Sequence, residues 1–389
     1  MKISISRDVF FDGLQGVGSV IPQKPTLPVL SNFLLKAEKD SLSISGTDMD
    51  MFITTLIPCL VEEEGSITVN AKRFFSVIRE LPSGEITIES EGERFTVTYC
   101  KGQSSILGIS SSDYPSLRES LEGVKITLTG SDFIEMVDKS SFSIASDRTR
   151  PALTGVYWEI SPERMIMAST DGHRLSLFEK QKKPSAEDSA VEGFDVHARQ
   201  DDIISIIVPP KVLTHAMRVA MGVQEPGNLF FDVIFGKGAI LFDFGKTRIF
   251  SKLIEGPYPD FRRVIPTDNS KRITVNTDEF SGSVRRVSVL SNTATHQIRM
   301  NLTPGKMEIS TSNIDIGGES RETISVAYDG DPLAAGYNAS FLSEILRVVD
   351  SEEIVLELES PIKACIIKPA IKRELREYLY LIMPLRLNE

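Results

Sequence analysis

The stretch Ala168-Ser169-Thr170-Asp171-Gly172-His173-Arg174-Leu175 follows a short apolar run in the middle of the chain. A similar stretch, Leu42-Ser43-Ile44-Ser45-Gly46-Thr47-Asp48, occurs earlier, and a fainter copy, Met307-Glu308-Ile309-Ser310-Thr311-Ser312-Asn313, occurs later. In each copy an alternating, strand-like pattern runs into Thr or Ser and then Asp or Asn. Because Asp and Asn side chains hydrogen-bond their own downstream backbone, the pattern predicts a strand that ends in a turn. Three copies predict an internal repeat.

Two separate spacings support this repeat. Phe133 follows Phe10 by 123 residues, and Thr170 follows Thr47 by the same number. Each repeat reads as strand, helix and three strands, and then as the same series again. The sequence therefore predicts an α+β protein of three domains, 1–122, 123–268 and 269–389, each with two helices and two antiparallel four-stranded sheets. The polar residues 181–202 are predicted to form a long exposed insertion.

The composition is ordinary for a globular protein, with 389 residues of which 41% are hydrophobic and 25% charged. No apolar run approaches the roughly 18 residues that cross a membrane, and residues 1–7 lack the apolar core of a secretory signal. Cys59, Cys100 and Cys365 lie far apart and show no metal-ligand spacing, which predicts a reduced, cytoplasmic chain. The formal charge of −11 argues against a protein that binds nucleic acid over its whole surface.

Signatures of catalysis are weak. Asp171-Gly172-His173 could be an acid–base pair, but a polar turn explains it as well, and the other histidines add no ligand spacing. Gly245-Lys246-Thr247 ends like a phosphate-binding loop, yet Ile240 stands where the first Gly of that motif belongs, and the segment joins two predicted strands. Glu62-Glu63-Glu64 is predicted to be a solvated turn. We therefore predict no catalytic site, no metal and no cofactor.

Basic residues collect in the later parts of the predicted helices, whereas acids such as Asp8 and Asp132 lie in first turns, where the helix dipole favours them. A mildly positive helix face on an acidic chain would explain this distribution, and so would ordinary solvated helices. The basic positions are Arg79, Lys139, Arg218, Arg285, Arg286 and Arg347.

The chain resembles the bacterial DNA polymerase III beta subunit family, the sliding clamps. The resemblance runs from residue 1 to residue 387, with gaps at the polar insertions. Four stretches carry it: Lys24-Pro25-Thr26-Leu27-Pro28-Val29-Leu30-Ser31-Asn32, Thr170-Asp171-Gly172-His173-Arg174-Leu175, Tyr258-Pro259-Asp260-Phe261-Arg262-Arg263-Val264-Ile265-Pro266 and Met383-Pro384-Leu385-Arg386-Leu387.

This resemblance implies a head-to-tail homodimer that forms a ring of six similar domains, with helices lining the hole and sheets outside. Such a ring encircles double-stranded DNA without reading its sequence and tethers the replicative polymerase, so the chain would be a processivity factor and not an enzyme. The implied partners are the DNA polymerase III alpha subunit, the clamp loader, and other DNA polymerases and repair proteins, each binding through a short Gln-Leu-x-Leu-Phe-like motif. A peptide-binding scaffold that does not encircle DNA and an enzyme using Asp171 and His173 are the alternatives.

The family's partner cleft lies between the second and third domains. Its walls would be Leu153, Thr170, Gly172, His173, Arg174, Leu175, Pro259, Arg263, Val264, Asn338, Phe341, Pro361, Lys363, Leu381, Ile382, Met383, Pro384, Leu385, Arg386 and Leu387. The DNA-binding residues would be Lys24, Arg73, Arg79, Arg150, Lys211, Arg218 and Arg286.

The resemblance also implies that the ring interface pairs the strand near Ser104 to Ile109, which contains Ile106, with the third domain near Val289 and Leu290 of the other copy. The chain departs from the family pattern at Pro151-Ala152, in a basic insertion over 368–376 and in its last two residues, 388–389.

Overall fold

The computed structural model describes residues 1–116, 118, 120–182, 194–196, 203–223 and 225–387. Within this part of the chain there are six α-helices and twenty-six β-strands, and all the strand pairs within the sheets are antiparallel. Each repeat contributes two of the helices, as the sequence predicted. None of the described helices is long and apolar enough to cross a membrane.

The first repeat alternates short strands with two helices that follow directly on β1 and β6. Its elements are β1 (Lys2–Ser6), α1 (Arg7–Gly18), β2 (Asn32–Glu38), β3 (Ser41–Thr47), β4 (Met51–Pro58), β5 (Leu60–Glu63), β6 (Gly65–Asn70), α2 (Ala71–Glu80), β7 (Glu85–Glu91), β8 (Arg94–Tyr99) and β9 (Gly102–Leu107).

The second repeat has the same order. Its elements are β10 (Val124–Thr129), α3 (Gly130–Ser140), β11 (Val156–Ile160), β12 (Arg164–Thr170), β13 (Arg174–Gln181), β14 (Phe194–Val196), β15 (Ile204–Val208), α4 (Pro210–Met221), β16 (Phe230–Gly236), β17 (Ala239–Asp243) and β18 (Thr247–Lys252).

The third repeat completes the series. Its elements are β19 (Lys271–Asn276), α5 (Thr277–Ser288), β20 (Gln297–Thr303), β21 (Lys306–Asn313), β22 (Gly318–Ser325), β23 (Leu333–Asn338), α6 (Ala339–Val348), β24 (Glu353–Leu358), β25 (Cys365–Pro369) and β26 (Arg376–Ile382).

Contacts divide the described chain into two compact units. The first unit contains α1, α2 and α4, together with a five-stranded sheet in the order β5-β1-β7-β8-β9 and a nine-stranded sheet in the order β14-β10-β16-β17-β18-β4-β3-β2-β6. The second unit contains α5, α6 and most of α3. Its sheets are eight-stranded, in the order β15-β11-β12-β13-β26-β25-β24-β19, and four-stranded, in the order β22-β21-β20-β23.

The two large sheets correct the prediction of separate four-stranded sheets in every domain. Strand β4 of the first repeat pairs with β18 of the second, with Phe52 opposite Phe250. Strand β13 of the second repeat pairs with β26 of the third, with Leu175 opposite Leu381. Pairing satisfies backbone groups that an edge strand leaves open, so sheets of neighbouring repeats merge.

The stretch that revealed the repeat forms the same turn in all three copies. The Asp48 Oδ1 atom accepts backbone N–H groups two and three residues on, at 3.2 and 2.9 Å. The Asp171 Oδ1 atom accepts the corresponding N–H groups at 2.9 and 3.0 Å. The Asn313 Oδ1 atom accepts the N–H two residues on at 3.2 Å. The prediction of a strand ending in an Asx turn is confirmed.

Two short strands were not predicted. Glu62 and Glu63 lie in β5, which pairs with β1, so the expected turn is wrong for these two residues. Strand β14 pairs with β10 inside the stretch that was predicted to be an insertion, and the remainder of that stretch, 183–193 and 197–202, lies outside the described residues. Both strands are at sheet edges. Edge strands are often short and carry charged side chains, so the apolar alternation that marks a strand is weak in them.

Gly46 sets how closely the end of α1 approaches β3. A Cβ atom at this position would lie 2.8 Å from Val17 Cγ1 and 2.9 Å from side-chain carbons of Val20 and Ile21. Those three side chains are fully or largely buried, so they have little room to move. The helix can therefore pack on this strand only if position 46 has no side chain.

We expect the substitution Gly46→Ala to lower the free energy of unfolding by about 1–3 kcal/mol, because the added methyl overpacks the helix–strand contact. Urea denaturation of the full chain measures this. Gly16→Ala is the matched control. Its Cβ would meet only Thr55 Oγ1 at 4.0 Å, and Ala is favoured over Gly inside a helix by up to about 1 kcal/mol. Equal stability of Gly46→Ala and the unsubstituted protein would contradict the close packing.

Candidate partner-binding and DNA-binding surfaces

All the cleft residues named from the sequence belong to the second unit, in which β26 ends beside the turn between β12 and β13. The backbone N–H of Met383 donates to the carbonyl of His173 at 2.8 Å, so the chain after β26 runs beside the 170–174 turn. The N–H of Leu385 donates to the carbonyl of Gly336 at 2.8 Å, which attaches the C-terminal segment to β23. Gln297 Nε2 also donates to the carbonyl of Arg386 at 3.0 Å. The C-terminal segment is therefore held in place as one wall.

Arg174 organises this region from below the surface. Its side chain is 8% exposed, and its Nε and Nη1 atoms lie 3.1 Å from Asp171 Oδ2 and 2.5 Å from Glu344 Oε2. Its Nη2 atom donates to the carbonyl of Phe142 at 3.2 Å. The guanidinium lies 4.4 Å from the centroid of the Phe341 ring. Arg174 thus joins the turn to α6 and orients Phe341, and it is not a free surface cation.

Several apolar residues of the predicted cleft form its foundation. Leu153, Leu175 and Leu381 are 5%, 1% and 3% exposed, and Leu175 and Leu381 pack in a cluster with Phe261. Tyr258 packs on the same cluster, and its hydroxyl accepts the backbone N–H of Thr170 at 3.2 Å. Burial raises the pKa of the Tyr258 hydroxyl well above its usual value. This cluster holds the segment 258–265 against the residues of β13 and β26.

The apolar surface that a ligand can reach comes from other side chains. Val264 is 57% exposed and Met383 is 41% exposed, and both were predicted. Ile362 is 78% exposed and stands in sequence between Pro361 and Lys363, two predicted wall residues, but was not itself named. The signal that could have found it is an apolar residue between two predicted wall residues. The exposed apolar surface is therefore smaller than the set of apolar cleft residues that the sequence predicted.

The polar residues of the predicted cleft are partly committed to the fold. The Asn338 side chain accepts the N–H groups of Ser340 and Phe341 at 2.9 and 3.2 Å and so caps α6. Lys363 Nζ lies 2.5 Å from an Asp268 carboxylate oxygen, and this contact lowers the pKa of Asp268. The other predicted cleft residues differ in burial. Gly172, His173, Pro259, Arg263, Pro361 and Arg386 are exposed, Thr170, Pro384, Leu385 and Leu387 are half-buried, and Ile382 is buried.

The acid–base alternative at Asp171 and His173 finds no support in the geometry. The Asp171 carboxylate accepts two turn N–H groups and the Arg174 guanidinium. Across the described residues, no three His, Cys, Asp or Glu side chains are placed to hold a metal ion. The Asp171 carboxylate therefore stabilises the turn.

All seven predicted DNA-binding cations are exposed, but they differ in their partners. Arg79, Lys211 and Arg286 form ion pairs with Glu80, Asp48 and Glu322 at 3.0, 2.5 and 2.6 Å. The contact with Arg286 lowers the pKa of Glu322 to about 2. Within the described chain, four predicted cations form no ion pair, namely Lys24, Arg73, Arg150 and Arg218. Other exposed cations that form no ion pair with a described residue include Lys72, Arg148, Arg285 and Arg347.

The strands proposed for the ring interface lie at sheet edges. Strand β9 is outermost in the five-stranded sheet, with Ile106 half-buried and its neighbour Leu107 76% exposed. Strand β22 is outermost in the four-stranded sheet. Near it lie Val289, which is 77% exposed, and the half-buried Leu290.

Two further isoleucines extend this apolar surface. Ile314 is 95% exposed and Ile316 is 62% exposed, in the turn after β21. A Cβ atom on Gly318 would lie 3.2 Å from Ile316 Cδ1 and 3.5 Å from Leu290 Cδ2, so the two side chains converge on that glycine. The sequence signal was an Ile-Asp-Ile run placed in the turn of the third repeat copy.

His215 is a buried histidine on α4, in the first unit. It is 6% exposed, and its Nδ1 atom lies 2.9 Å from Ser19 Oγ at the end of α1. Burial, together with the positive charges of Arg218 and Lys211, lowers its pKa to about 4, against the opposing effect of Asp48. The neutral ring is therefore the form that the fold accepts.

We expect His215 to make the protein acid-sensitive. The folded pKa is below the value of about 6.5 in the unfolded chain, so protons bind the unfolded chain preferentially. The contribution is complete above about pH 6.5 and is lost as the pH falls toward 4, by about 2 kcal/mol at pH 5. Urea midpoints at pH 7.5 and pH 5 should differ less in His215→Gln than in the unsubstituted protein. His173→Gln controls for loss of an exposed histidine, and an unchanged difference in His215→Gln would contradict the assignment.

Three family profiles match consecutive segments that together cover nearly the whole chain. The profiles are described as DNA polymerase III beta subunit, N-terminal domain, over residues 1–118, central domain over 127–260, and C-terminal domain over 262–386.

Individual relatives and solved structures agree with these profiles. A beta sliding clamp of Proteus mirabilis is 30% identical over 389 residues, covering 100% of both chains. A beta sliding clamp of Caulobacter vibrioides is 29% identical over 393 residues, covering 99% of this chain and 100% of the relative. A crystal structure of the DNA polymerase sliding clamp from Pseudomonas aeruginosa superposes with a TM-score of 0.88 at 27% identity, covering 100% of both chains.

Proposed function

The chain belongs to the DNA polymerase III beta subunit family and is a DNA sliding clamp, and on that premise we propose that two copies join head to tail in a closed ring around double-stranded DNA. We propose that its three clamp domains are 1–122, 123–268 and 269–389. The clamp acts as a processivity factor without a catalytic site of its own. Its cytoplasmic location stays a prediction.

The pairing of edge strands is the observation that carries the ring. In the first two repeats the third strand after the first helix, β4 or β13, pairs with the last strand of the following repeat, β18 or β26. In the third repeat the corresponding strand is β22, and the last strand of the first repeat is β9. Both are outermost in their sheets. Pairing of β22 with β9 of a second copy applies the same rule a third time, and two such junctions close a ring.

The Asx turns support the same arrangement. The first turn contacts the second helix of the next repeat through Asp48 and Lys211 of α4, at 2.5 Å. The second turn does so through Arg174 and Glu344 of α6, also at 2.5 Å. The third turn presents Ile314 and its neighbours without such a helix in its own chain. Under the same rule it would contact α2 of the second copy, and burial of exposed isoleucines would stabilise that junction.

We expect Ile314→Asp to weaken dimerisation at least about tenfold, because a charged side chain would replace a buried apolar one at the junction. Light scattering across micromolar concentrations measures the dimer mass. Co-elution with nicked circular DNA, after loading by the clamp loader, measures ring closure. Ile371→Asp is the matched control, since Ile371 is 76% exposed and lies in the loop between β25 and β26. A dimer of unchanged strength in Ile314→Asp would contradict this junction.

Charge distribution suits a ring that slides. Four cations without an ion pair to a described residue, Arg73, Arg218, Arg285 and Arg347, lie on helices, while the chain as a whole carries a formal charge of −11. Contacts to phosphates position a protein on DNA but carry no sequence information, so such a lining permits movement along the duplex. The acidic remainder disfavours DNA on the outside.

We propose that partner proteins dock in the cleft of the second unit through short segments resembling Gln-Leu-x-Leu-Phe. The partners are the DNA polymerase III alpha subunit, the clamp loader, and other DNA polymerases and repair proteins. Val264, Ile362 and Met383 supply the exposed apolar wall. Burying a Leu and a Phe is worth about 1.5–3 kcal/mol each, which after association costs supports roughly micromolar binding. Exchangeable binding of this strength suits a site that several partners share.

We expect Met383→Ala to weaken binding of a labelled Gln-Leu-Ser-Leu-Phe peptide about tenfold, because most of one buried Met side chain, about 1–2 kcal/mol, is lost. Fluorescence anisotropy of the titrated peptide measures the dissociation constant. Met49→Ala is the matched control, because Met49 is 40% exposed, as against 41% for Met383, and lies in the first-repeat turn. Equal affinities of the Met383→Ala and Met49→Ala proteins would contradict the placement of the cleft.

A further inference from the structure

A large cavity opens between α1 and α2 in the first unit. Its volume is about 830 Å³, and its walls come from the end of α1, from the loop that follows, from β2 and from the start of α2. Ile21, Pro22 and Phe75 are among its apolar lining residues, and Lys24 and Lys72 are its cationic ones. Binding pockets for small ligands have this size and this mixture of apolar walls with a few polar groups.

The charge of this cavity is unusual for so acidic a chain. Its lining includes Lys24 and Lys72 and contains no Asp or Glu. Both lysines are exposed, and neither forms an ion pair with a described residue. The cavity over the four-stranded sheet shows the contrast, since Arg299 and Arg321 are balanced there by acids. A ligand in the α1–α2 cavity would therefore carry negative charge.

The aromatic ring in the apolar wall favours a ligand that has a flat group to stack on it. Phe75 is half-buried, and its ring lies 4.8 Å from that of Phe11, at an angle of 32°, which fixes its orientation. The side-chain amide of Gln15 lines the cavity and is exposed. An amide can donate to and accept from the edge of a base. Anionic phosphate, a flat apolar ring and a polar ring edge together describe a nucleotide.

We propose that this cavity binds a nucleotide of an unpaired DNA strand, with its phosphate near Lys24 and Lys72 and its base against Phe75. The inference rests on the proposed function, in which the helices face DNA. In a duplex the bases are stacked and paired, so a base can enter a side pocket only from a single strand or after it has been flipped out. The site would engage the unpaired template next to a primer end and would ignore intact duplex.

Photocrosslinking tests the proposal with the full-length protein. The probe is a fluorescein-labelled 15-nucleotide oligo-dT that contains one 5-iododeoxyuridine, which crosslinks to aromatic rings in contact with the base. We expect a crosslink at Phe75 by mass spectrometry, and none when the probe is annealed to its complement. Crosslinks only elsewhere, or equal crosslinking of the duplex, would overturn the proposal.

Two substitutions extend the test to affinity. Phe75→Leu keeps an apolar side chain and removes the ring, and Gln15→Ala removes the exposed amide without touching the buried core. We expect about five- to tenfold weaker oligo-dT binding by anisotropy for Phe75→Leu and about threefold for Gln15→Ala, in line with the usual contribution of stacking and of one hydrogen bond. Phe230→Leu is the matched control, since Phe230 is 49% exposed on β16. Unchanged affinity in both cavity variants would overturn the proposal.

Separate measurements distinguish this inference from the clamp assignment. The same protein samples are tested for retention on nicked circular duplex DNA and for binding of the Gln-Leu-Ser-Leu-Phe peptide. Retention and peptide binding that persist in Phe75→Leu, with weaker oligo-dT binding, support the single-strand site. Loss of peptide binding in Phe75→Leu would instead mean that the cavity receives protein segments, and this would overturn the proposal while leaving the ring intact.

Discussion

The backbone ladder between β13 and β26 is the constraint on which the partner cleft depends. It pairs Arg174 with Ile382 at one end and Lys180 with Arg376 at the other, joining the second repeat to the third in one sheet. Because the ladder begins at the 170–174 turn, the segment after β26 must leave the sheet beside that turn. Met383 then bonds to His173, and Leu385 reaches β23. The cleft is thus a consequence of strand pairing between repeats.

The same kind of pairing explains why the chain has two open sheet edges. Strands β4 and β18 satisfy one another's backbone groups, as β13 and β26 do. An unpaired edge is a template for another strand, and proteins usually cover or shorten it. Here β9 and β22 lie outermost, and the exposed Leu107 and Ile314 are nearby in sequence. An open edge with exposed apolar neighbours is a surface on which another strand can pair, and the proposed dimer rests on it.

The charged residues fall into two groups, those paired within the fold and those left unpaired on helices. Buried or half-buried charges are matched, as in Arg174, which contacts Asp171 and Glu344, because an unpaired charge is costly away from water. Helix cations such as Arg73 and Arg218 have no ion partner in the described chain and stay available for phosphate. An acidic composition is therefore compatible with the proposed ring around DNA, since cations remain unpaired on the helices.

The sequence by itself determined the repeat, the α+β class, the helix positions and the Asx turns, because these depend on local periodicity and on side chains that bond their own backbone. Tertiary structure alone decided which strands join repeats, that Leu175 and Leu381 are buried in one cluster, and that Ile362 is exposed. It also decided which cations are paired, as Arg286 is with Glu322 and Arg73 is not. These outcomes depend on contacts between residues far apart in the chain, which a local pattern does not contain.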